Sequence, residues 1–202
     1  LSDLNSSFNK KEDEYKDTFE GPNWLDVRTE DRLYKDRDPE VLVVGSGQAG
    51  LSIAARLKQQ NIDTLVIDKN ERVGDNWRNR YHSLKLHNQT HVNHLPYMPF
   101  PPTWPTYIPK DKLAGWFEYY AESMELNVWT KTTFISAEYD KVEKKWKVIL
   151  KLFDGNERIM KPKHIVMAVG VSSVPNRGQI PGMEGYEGKV IHSTDYSSGI
   201  DY

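Results

Sequence analysis

Residues 40–70 read EVLVVGSGQAGLSIAARLKQQNIDTLVIDKN. Val41 to Val44 is an uninterrupted run of β-branched residues and Leu, the pattern of a strand buried on both faces of a parallel sheet. Leu51, Ala54, Ala55 and Leu57 then recur at helical spacing, and Asn61 marks a helix stop. Thr64 to Ile67 repeats the buried-strand pattern. A strand, a helix and a second strand in this order make a right-handed βαβ unit. The stretch therefore sets the fold class as α/β with a parallel sheet.

Between the first strand and the helix lies Gly45-Ser46-Gly47-Gln48-Ala49-Gly50, a match to G-x-G-x-x-G. On its own that pattern is weak. Here it follows a buried strand and opens a helix, and Asp68 closes the next strand 18 residues after Gly50. Each position has a physical role in binding a dinucleotide. Gly45 allows the tight turn, Gly47 lets a pyrophosphate approach bare backbone, and Gly50 lets helix and strand pack closely. The helix N-terminus offers free N–H groups and the positive end of its dipole to the phosphates. Asp68 can accept hydrogen bonds from adenosine ribose hydroxyls. The plainer alternative is a tight strand–helix turn without a ligand. The pattern alone does not separate NAD from FAD.

Working outward, the remaining chain bounds the options. Its 202 residues are 38% hydrophobic and 11% aromatic, enough for a real core. The net charge of −2 gives no electrostatic case for nucleic acid or an anionic membrane as partner. No apolar run approaches the ~20 residues of a membrane span, and the N-terminus lacks the apolar core of a signal peptide. A cytoplasmic protein is expected. Cysteine is absent, which removes disulfides, thiolate metal sites and cysteine nucleophiles together.

Residues 1–38 carry 11 acidic and 7 basic residues. They read as an extension or linker held on the surface by Phe19, Trp24, Leu25, Val27 and Leu33, a solvated tail being the alternative. The domain proper is expected over residues 39–202. Pro96, Pro99, Pro101, Pro102, Pro105 and Pro109 exclude regular structure from their window. Their interleaved aromatic residues favour a stiff loop packed on the domain over a polyproline ligand for another protein. Leu113, Trp116, Phe117, Tyr120, Ala121 and Met124 share one helical face. Strand-like runs at Thr133 to Tyr139, Trp146 to Phe153 and Arg158 to Lys161 suggest a three-stranded antiparallel meander, with Asp154-Gly155 as a hairpin turn. The run HIVMAVG returns to a buried strand ending at Gly170. His82, His87, His91 and His94 do not read as a metal site, because no cysteine supports them and they run through the proline-rich region rather than along one helix face.

Several motifs occur in one order: ERVGDNW with Gly74 and Trp77, then LKLH, then the FP…P.Y stretch, then Ala168-Val169-Gly170, then YEGKVIHSTDY. Together they resemble the flavin-containing monooxygenases, most closely the YUCCA-like group, over residues 40 to 199. The resemblance implies a FAD-type Rossmann domain with the meander inserted. It implies that Gly45, Ser46, Gly47, Gln48, Ala49 and Gly50 hold the FAD pyrophosphate, with Asp68 on the ribose and Lys69 beside it. It places Gly74 and Trp77 along the ribityl chain and Leu86 and His87 near the isoalloxazine ring. Ala168 and Gly170 end the returning strand beside the cofactor. The family's flavin-side Asn corresponds either to His87 or, with a one-residue shift, to Asn88. These two are the candidate catalytic residues. Asp68 stands where the family has Glu, and Tyr186 where its F-x-G-x-x-x-H-x-x-x-Y fingerprint opens with Phe.

Implied with this is an NADPH- and O₂-dependent monooxygenase that oxygenates a small organic substrate through a C4a-(hydro)peroxyflavin. The nicotinamide domain of such enzymes carries its own G-x-G-x-x-G, and this chain has no second one. The expectation is that these residues are the FAD portion of a longer protein, with the NADPH domain as an intramolecular partner, and do not turn over alone. The alternatives are a non-enzymatic FAD-binding or interaction module (a decayed paralogue included), a simple NAD-dependent dehydrogenase, and a pyridine nucleotide–disulphide oxidoreductase. The last needs a redox-active cysteine pair that the sequence lacks. The substrate cannot be read from these residues.

Overall fold

The computed structural model describes residues 21–171 and 174–201. Four parallel strands form the central sheet: β1 (Val41–Val44), β2 (Thr64–Ile67), β3 (Asn127–Trp129) and β7 (His164–Met167), in the order β3-β2-β1-β7. Val41 pairs with Thr64 on one side and His164 on the other, so the returning strand lies directly beside the first.

All four residues of β1 and of β2 are buried, as their unbroken apolar runs required. Successive side chains in a strand point to opposite faces, and here they enter two different cores. Val41, Val43 and Val66 pack against Leu51, Ala54 and Ala55 of α2 (Gln48–Gln59) and against Leu113, Phe117 and Tyr120 of α4 (Lys110–Ser123). Leu42, Val44, Leu65 and Ile67 pack against Val148, Leu150 and Met160 on the opposite side. Those residues belong to the antiparallel meander of β4 (Thr133–Asp140), β5 (Lys145–Lys151) and β6 (Glu157–Met160). The architecture is thus an α/β parallel sheet covered by helices on one face and by an inserted three-stranded meander on the other. The strand limits fall within one or two residues of those expected except at β7, which ends at Met167 rather than Gly170 and is only half-buried, because it lies at the edge of the sheet with His164 and Met167 exposed. Gly155 turns the second hairpin at φ +85°, where an L side chain would be strained.

The α2 helix stops where Asn61 takes a left-handed φ of 57° and its N–H bonds the Lys58 carbonyl. The proline-rich loop is packed as expected. Phe100 stacks on Trp104 with centroids 4.9 Å apart, and Trp104 meets Trp116 of α4 edge-on at 5.3 Å.

Two elements differ from expectation. Asn127–Trp129 adds a fourth parallel strand. Residues 24–33 form α1 (Trp24–Leu33), opened by a capping box in which Asn23 and Asp26 bond each other's backbone N–H. The expected apolar anchors hold it only in part: Leu25 and Leu33 are exposed, Val27 is half-buried, Trp24 is exposed but donates its indole N–H to Glu125 Oε1 at 2.8 Å, and Phe19 lies outside the described residues. Arg28 and Tyr34 supply its buried anchors. Arg28 donates to the Glu125 carbonyl at 2.7 Å, and Tyr34 donates to Asp63 at 2.7 Å while meeting Trp129 edge-on. The helix therefore docks on the edge of the sheet through hydrogen bonds and one aromatic contact.

Candidate dinucleotide-binding site

The glycine loop sits at the C-terminal ends of β1 and β2, where open α/β sheets place their ligands. Its three glycines serve two purposes. Gly45 has φ +104°, and a Cβ there would lie 2.5 Å from the Ala168 carbonyl oxygen. A Cβ on Gly50 would fall inside contact distance of the Gly45 carbonyl oxygen. These two glycines permit the close approach of loop, helix and β7. Gly47 differs. It is the N-cap of α2 with no side-chain cap, its backbone is extended at φ −78°, and a Cβ would meet only the Asn76 amide nitrogen at 3.4 Å. The bare backbone at Gly47 and the uncapped first turn of α2 form an open cradle with free N–H donors. Gln48 and Ala49 are exposed on that turn.

Beneath the cradle, Ser46 is buried and donates both its backbone N–H and its hydroxyl to Asp68 Oδ2, at 2.8 and 2.7 Å. Asp68 Oδ1 accepts from the Asn70 N–H at 2.9 Å. The carboxylate thus ties the end of β2 to the loop after β1. It keeps acceptor capacity, since an ionised carboxylate offers about four lone-pair sites. The spacing of Asp68 signalled a ribose acceptor; it gave no sign of the link to Ser46. Lys69 is exposed beside it.

Gly74 opens the short helix α3 (Asp75–Arg78) at φ +92°, with its Cα against the backbone of Ala114 in α4. Close helix–loop packing alone requires glycine there. Trp77 is half-buried against the helix-side core. Leu86 is likewise half-buried, and its N–H bonds the Ile108 carbonyl at 2.9 Å. His87 and Asn88 are both exposed, but they are not equivalent. Asn88 Nδ2 donates to Asn93 Oδ1 at 2.9 Å, and the Asn93 carbonyl accepts from Gln48 Nε2 at 3.3 Å. Asn88 is therefore linked to the glycine loop, whereas His87 has no hydrogen-bond partner among the described residues. Asn93, buried in mid-loop, was missed from sequence because nothing in its spacing marks it.

Ala168 continues β7 with its N–H on the Val44 carbonyl at 2.8 Å, and its own carbonyl lies under Gly45. Gly170 takes φ +76° and is exposed. His94 Nδ1 accepts from the Phe100 N–H at 2.9 Å, a structural role. Among the described residues no group of three or more His, Asp or Glu could hold a metal ion, and no helix is long and apolar enough to cross a membrane.

The terminal fingerprint lies on the surface. Tyr186 is exposed and folds its ring over Gly188, where a Cβ would collide with it. His192 Nδ1 pairs with Thr194 Oγ1 at 2.8 Å. Tyr196 packs against Tyr81 at 5.8 Å, and the Ser197 carbonyl accepts from the His82 N–H at 2.8 Å. Arg177 forks onto Asp195 with two bonds of 2.7 Å and holds its carboxyl down at about 2.

The model of the pyridine nucleotide-disulphide oxidoreductase family matches residues 39–199. The protein named indole-3-pyruvate monooxygenase YUCCA1, from Oryza sativa subsp. japonica, is 32% identical over 165 residues, covering 81% of this chain and 40% of that protein. The chain thus spans less than half the length of the curated relatives it matches. Among solved structures, a variant of the flavin monooxygenase from Stenotrophomonas maltophilia superposes with a TM-score of 0.72 at 20% identity, over 82% of this chain and 48% of that one. Cyclohexanone monooxygenase in its closed form gives 0.65 at 25% identity, over 81% and 32%. This sequence has no cysteine, so it lacks the redox-active pair of a disulphide reductase. The chain belongs to the pyridine nucleotide-disulphide oxidoreductase family, in its flavin monooxygenase branch, and corresponds to the flavin-binding half.

Proposed function

We propose that this chain is the FAD-binding portion of an NADPH- and O₂-dependent monooxygenase acting on a small organic substrate. The observation that carries the reading is the division of labour among the glycines. Gly45, Gly50 and Gly74 are explained by packing, whereas at Gly47, on an uncapped helix N-terminus, a Cβ would meet only the end of the Asn76 side chain at 3.4 Å. Packing gives no reason for glycine at position 47; a ligand phosphate does. A flavin monooxygenase with a dinucleotide cradle takes its flavin as FAD, whose pyrophosphate and adenosine fit the donors and acceptors present.

On this reading the first-turn N–H groups of α2 hold the pyrophosphate, and the one acceptor site left on Asp68, at Oδ1, takes a ribose hydroxyl. Ser46, by bonding Asp68 twice, fixes the carboxylate in place before the ligand arrives. Asn88 presents its amide from the loop that follows α3, and His87 stands beside it as the second polar group on that side. Trp77 and Leu86 give the loop apolar footing on the core, which limits water at its inner side. A bound flavin supplies the two-electron transfer and the reaction with O₂ that these side chains lack. The nicotinamide site is proposed to lie outside these residues, which hold one glycine fingerprint.

A visible spectrum tests the cofactor. Purified protein reconstituted with FAD should retain flavin bands near roughly 370 and 450 nm after desalting. A chain that retains NAD but no flavin would refute the assignment. The second test is turnover: the same 202 residues should not oxidise NADPH with coupled substrate oxygenation, and steady coupled turnover would overturn that part.

A further inference from the structure

We propose that Asn93 is a positioning residue that locks the flavin-side loop to the pyrophosphate cradle. The inference rests on the FAD reading above but names a residue and a linkage that reading does not use. Asn93 is buried although polar, and sits at the end of a 3-10 turn (Thr90–Val92) in the middle of a loop. Every one of its polar groups is engaged. Its Oδ1 accepts from Asn88 Nδ2 at 2.9 Å, and its Nδ2 donates to the Gln89 carbonyl at 2.8 Å. Its N–H bonds the Thr90 carbonyl at 3.1 Å, and its own carbonyl accepts from Gln48 Nε2 at 3.3 Å. A buried amide with all groups satisfied is costly to rearrange, so it fixes what it touches.

What it touches are two exposed residues from separate parts of the site. Gln48 belongs to the first turn of α2, inside the glycine fingerprint, and Asn88 belongs to the loop beside His87. Exposed polar side chains are ordered only as well as their supporting contacts. Asn93 supplies that support to both at once. It acts through Asn88 and Gln48 rather than on the cofactor.

The test uses three single variants and one double variant of the 202-residue chain, with FAD affinity read by flavin fluorescence. Asn93→Ala removes both side-chain bonds and should weaken FAD binding on the order of 10-fold, the consequence of one or two lost buried hydrogen bonds. Asn88→Ala should weaken it by a comparable factor, and the Asn88→Ala/Asn93→Ala pair by no more than the larger single loss, because the two act as one unit. Asn93→Asp keeps the acceptor for Asn88 but loses the donor to Gln89, and should recover part of the affinity. Hydrogen exchange without ligand gives an independent reading: Asn93→Ala should speed exchange in residues 45–51 and 84–93 together and leave 133–160 unchanged. Wild-type protein that binds no FAD would defeat the cofactor reading and the FAD role of Asn93 with it, while exchange would still report on the linkage. FAD binding unchanged by Asn93→Ala, strictly multiplicative losses in the double variant, or faster exchange confined to 90–93 would overturn the proposal alone.

Discussion

Gly47→Ala and Gly50→Ala form a pair that separates binding from folding. At Gly50 an added methyl lands inside the Gly45 carbonyl and lies 3.4 Å from Ala168 Cβ, so backbone must move. Overpacking of this kind costs about 1–3 kcal/mol and at times more. In a protein of this size each 1 kcal/mol lowers Tm by about 2–4 °C, giving a loss of roughly 2–12 °C. At Gly47 the methyl meets only Asn76 Nδ2 at 3.4 Å, ordinary contact, and φ is −78°, open to any residue. Two small terms oppose each other there. Removing glycine freedom from the unfolded chain stabilises by about 0.4–1 kcal/mol, and Ala is a poorer N-cap than Gly by a few tenths to about 1 kcal/mol. Tm should stay within about 4 °C of wild type. The same methyl occupies the space a pyrophosphate would take, so FAD affinity should fall by on the order of 100-fold, a penalty of about 2.7 kcal/mol. Differential scanning calorimetry of the apo-protein and FAD titration read the two effects. The reasoning fails if Gly47→Ala retains wild-type FAD affinity, or if it lowers Tm as much as Gly50→Ala does.

Asp68→Asn should weaken FAD binding and lower apo-protein stability by about 1–3 kcal/mol, since two Ser46 donors lose a charged acceptor; binding lost with an unchanged Tm would show that the Ser46 link does not matter for folding. Tyr34→Phe should cost about 1 kcal/mol, because Asp63 loses a donor at 2.7 Å while the ring contact to Trp129 remains; urea unfolding checks it, and no change would discount the hydrogen bond as an anchor of α1. The Asp195 carboxyl, held at about 2 against an ordinary 3.8 by the Arg177 side chain, should titrate with that low midpoint in NMR. Its folded value lies below its unfolded one, so the Arg177–Asp195 contact is intact above about pH 4 and is lost as pH falls towards 2. Arg177→Ala should return the midpoint towards 3.8, and an unchanged midpoint would mean that another group holds it down.

What could be read from sequence follows from how strongly each element depends on burial. β1 and β2 lie between two cores, so every position is apolar except Thr64, whose hydroxyl bonds the Ile62 carbonyl, and the run showed its own limits. β3 pairs with one neighbour over only three residues and is half-buried, so Asn127-Val128-Trp129 carries no such run. The α1 helix was missed for a related reason. Its anchors are a guanidinium and a phenol that find backbone and carboxylate partners far along the chain, and hydropathy assigns such residues to the surface. The capping box was visible, yet Asp rather than Glu or Gln at its third position made it weak as a signal. In the site, the glycine spacing carried most of the information because backbone clearance is a sequence-local demand. The supporting contacts, Ser46 to Asp68 and Asn93 to Asn88 and Gln48, join residues through tertiary geometry that spacing does not encode.

The terminal fingerprint shows the limit of motif reading most clearly. YEGKVIHSTDY is built of residues that look like chemistry, but the structure gives them mechanical work. Tyr186 covers Gly188, His192 pairs with Thr194, and Tyr196 leans on Tyr81 beside the bond from His82 to the Ser197 carbonyl. Val171, Val174 and Ile200 nearby are almost fully exposed, so the stretch is held by polar and aromatic contacts rather than by a core. Of these contacts, those of Tyr196 and Ser197 fall on the loop that runs from α3 to Leu86, Asn88 and the buried Asn93. A change at Tyr196 would therefore act on the candidate site through the seating of that loop. At its Tyr196 end the fingerprint thus specifies how the segment fastens to the loop that carries Asn88 and Asn93.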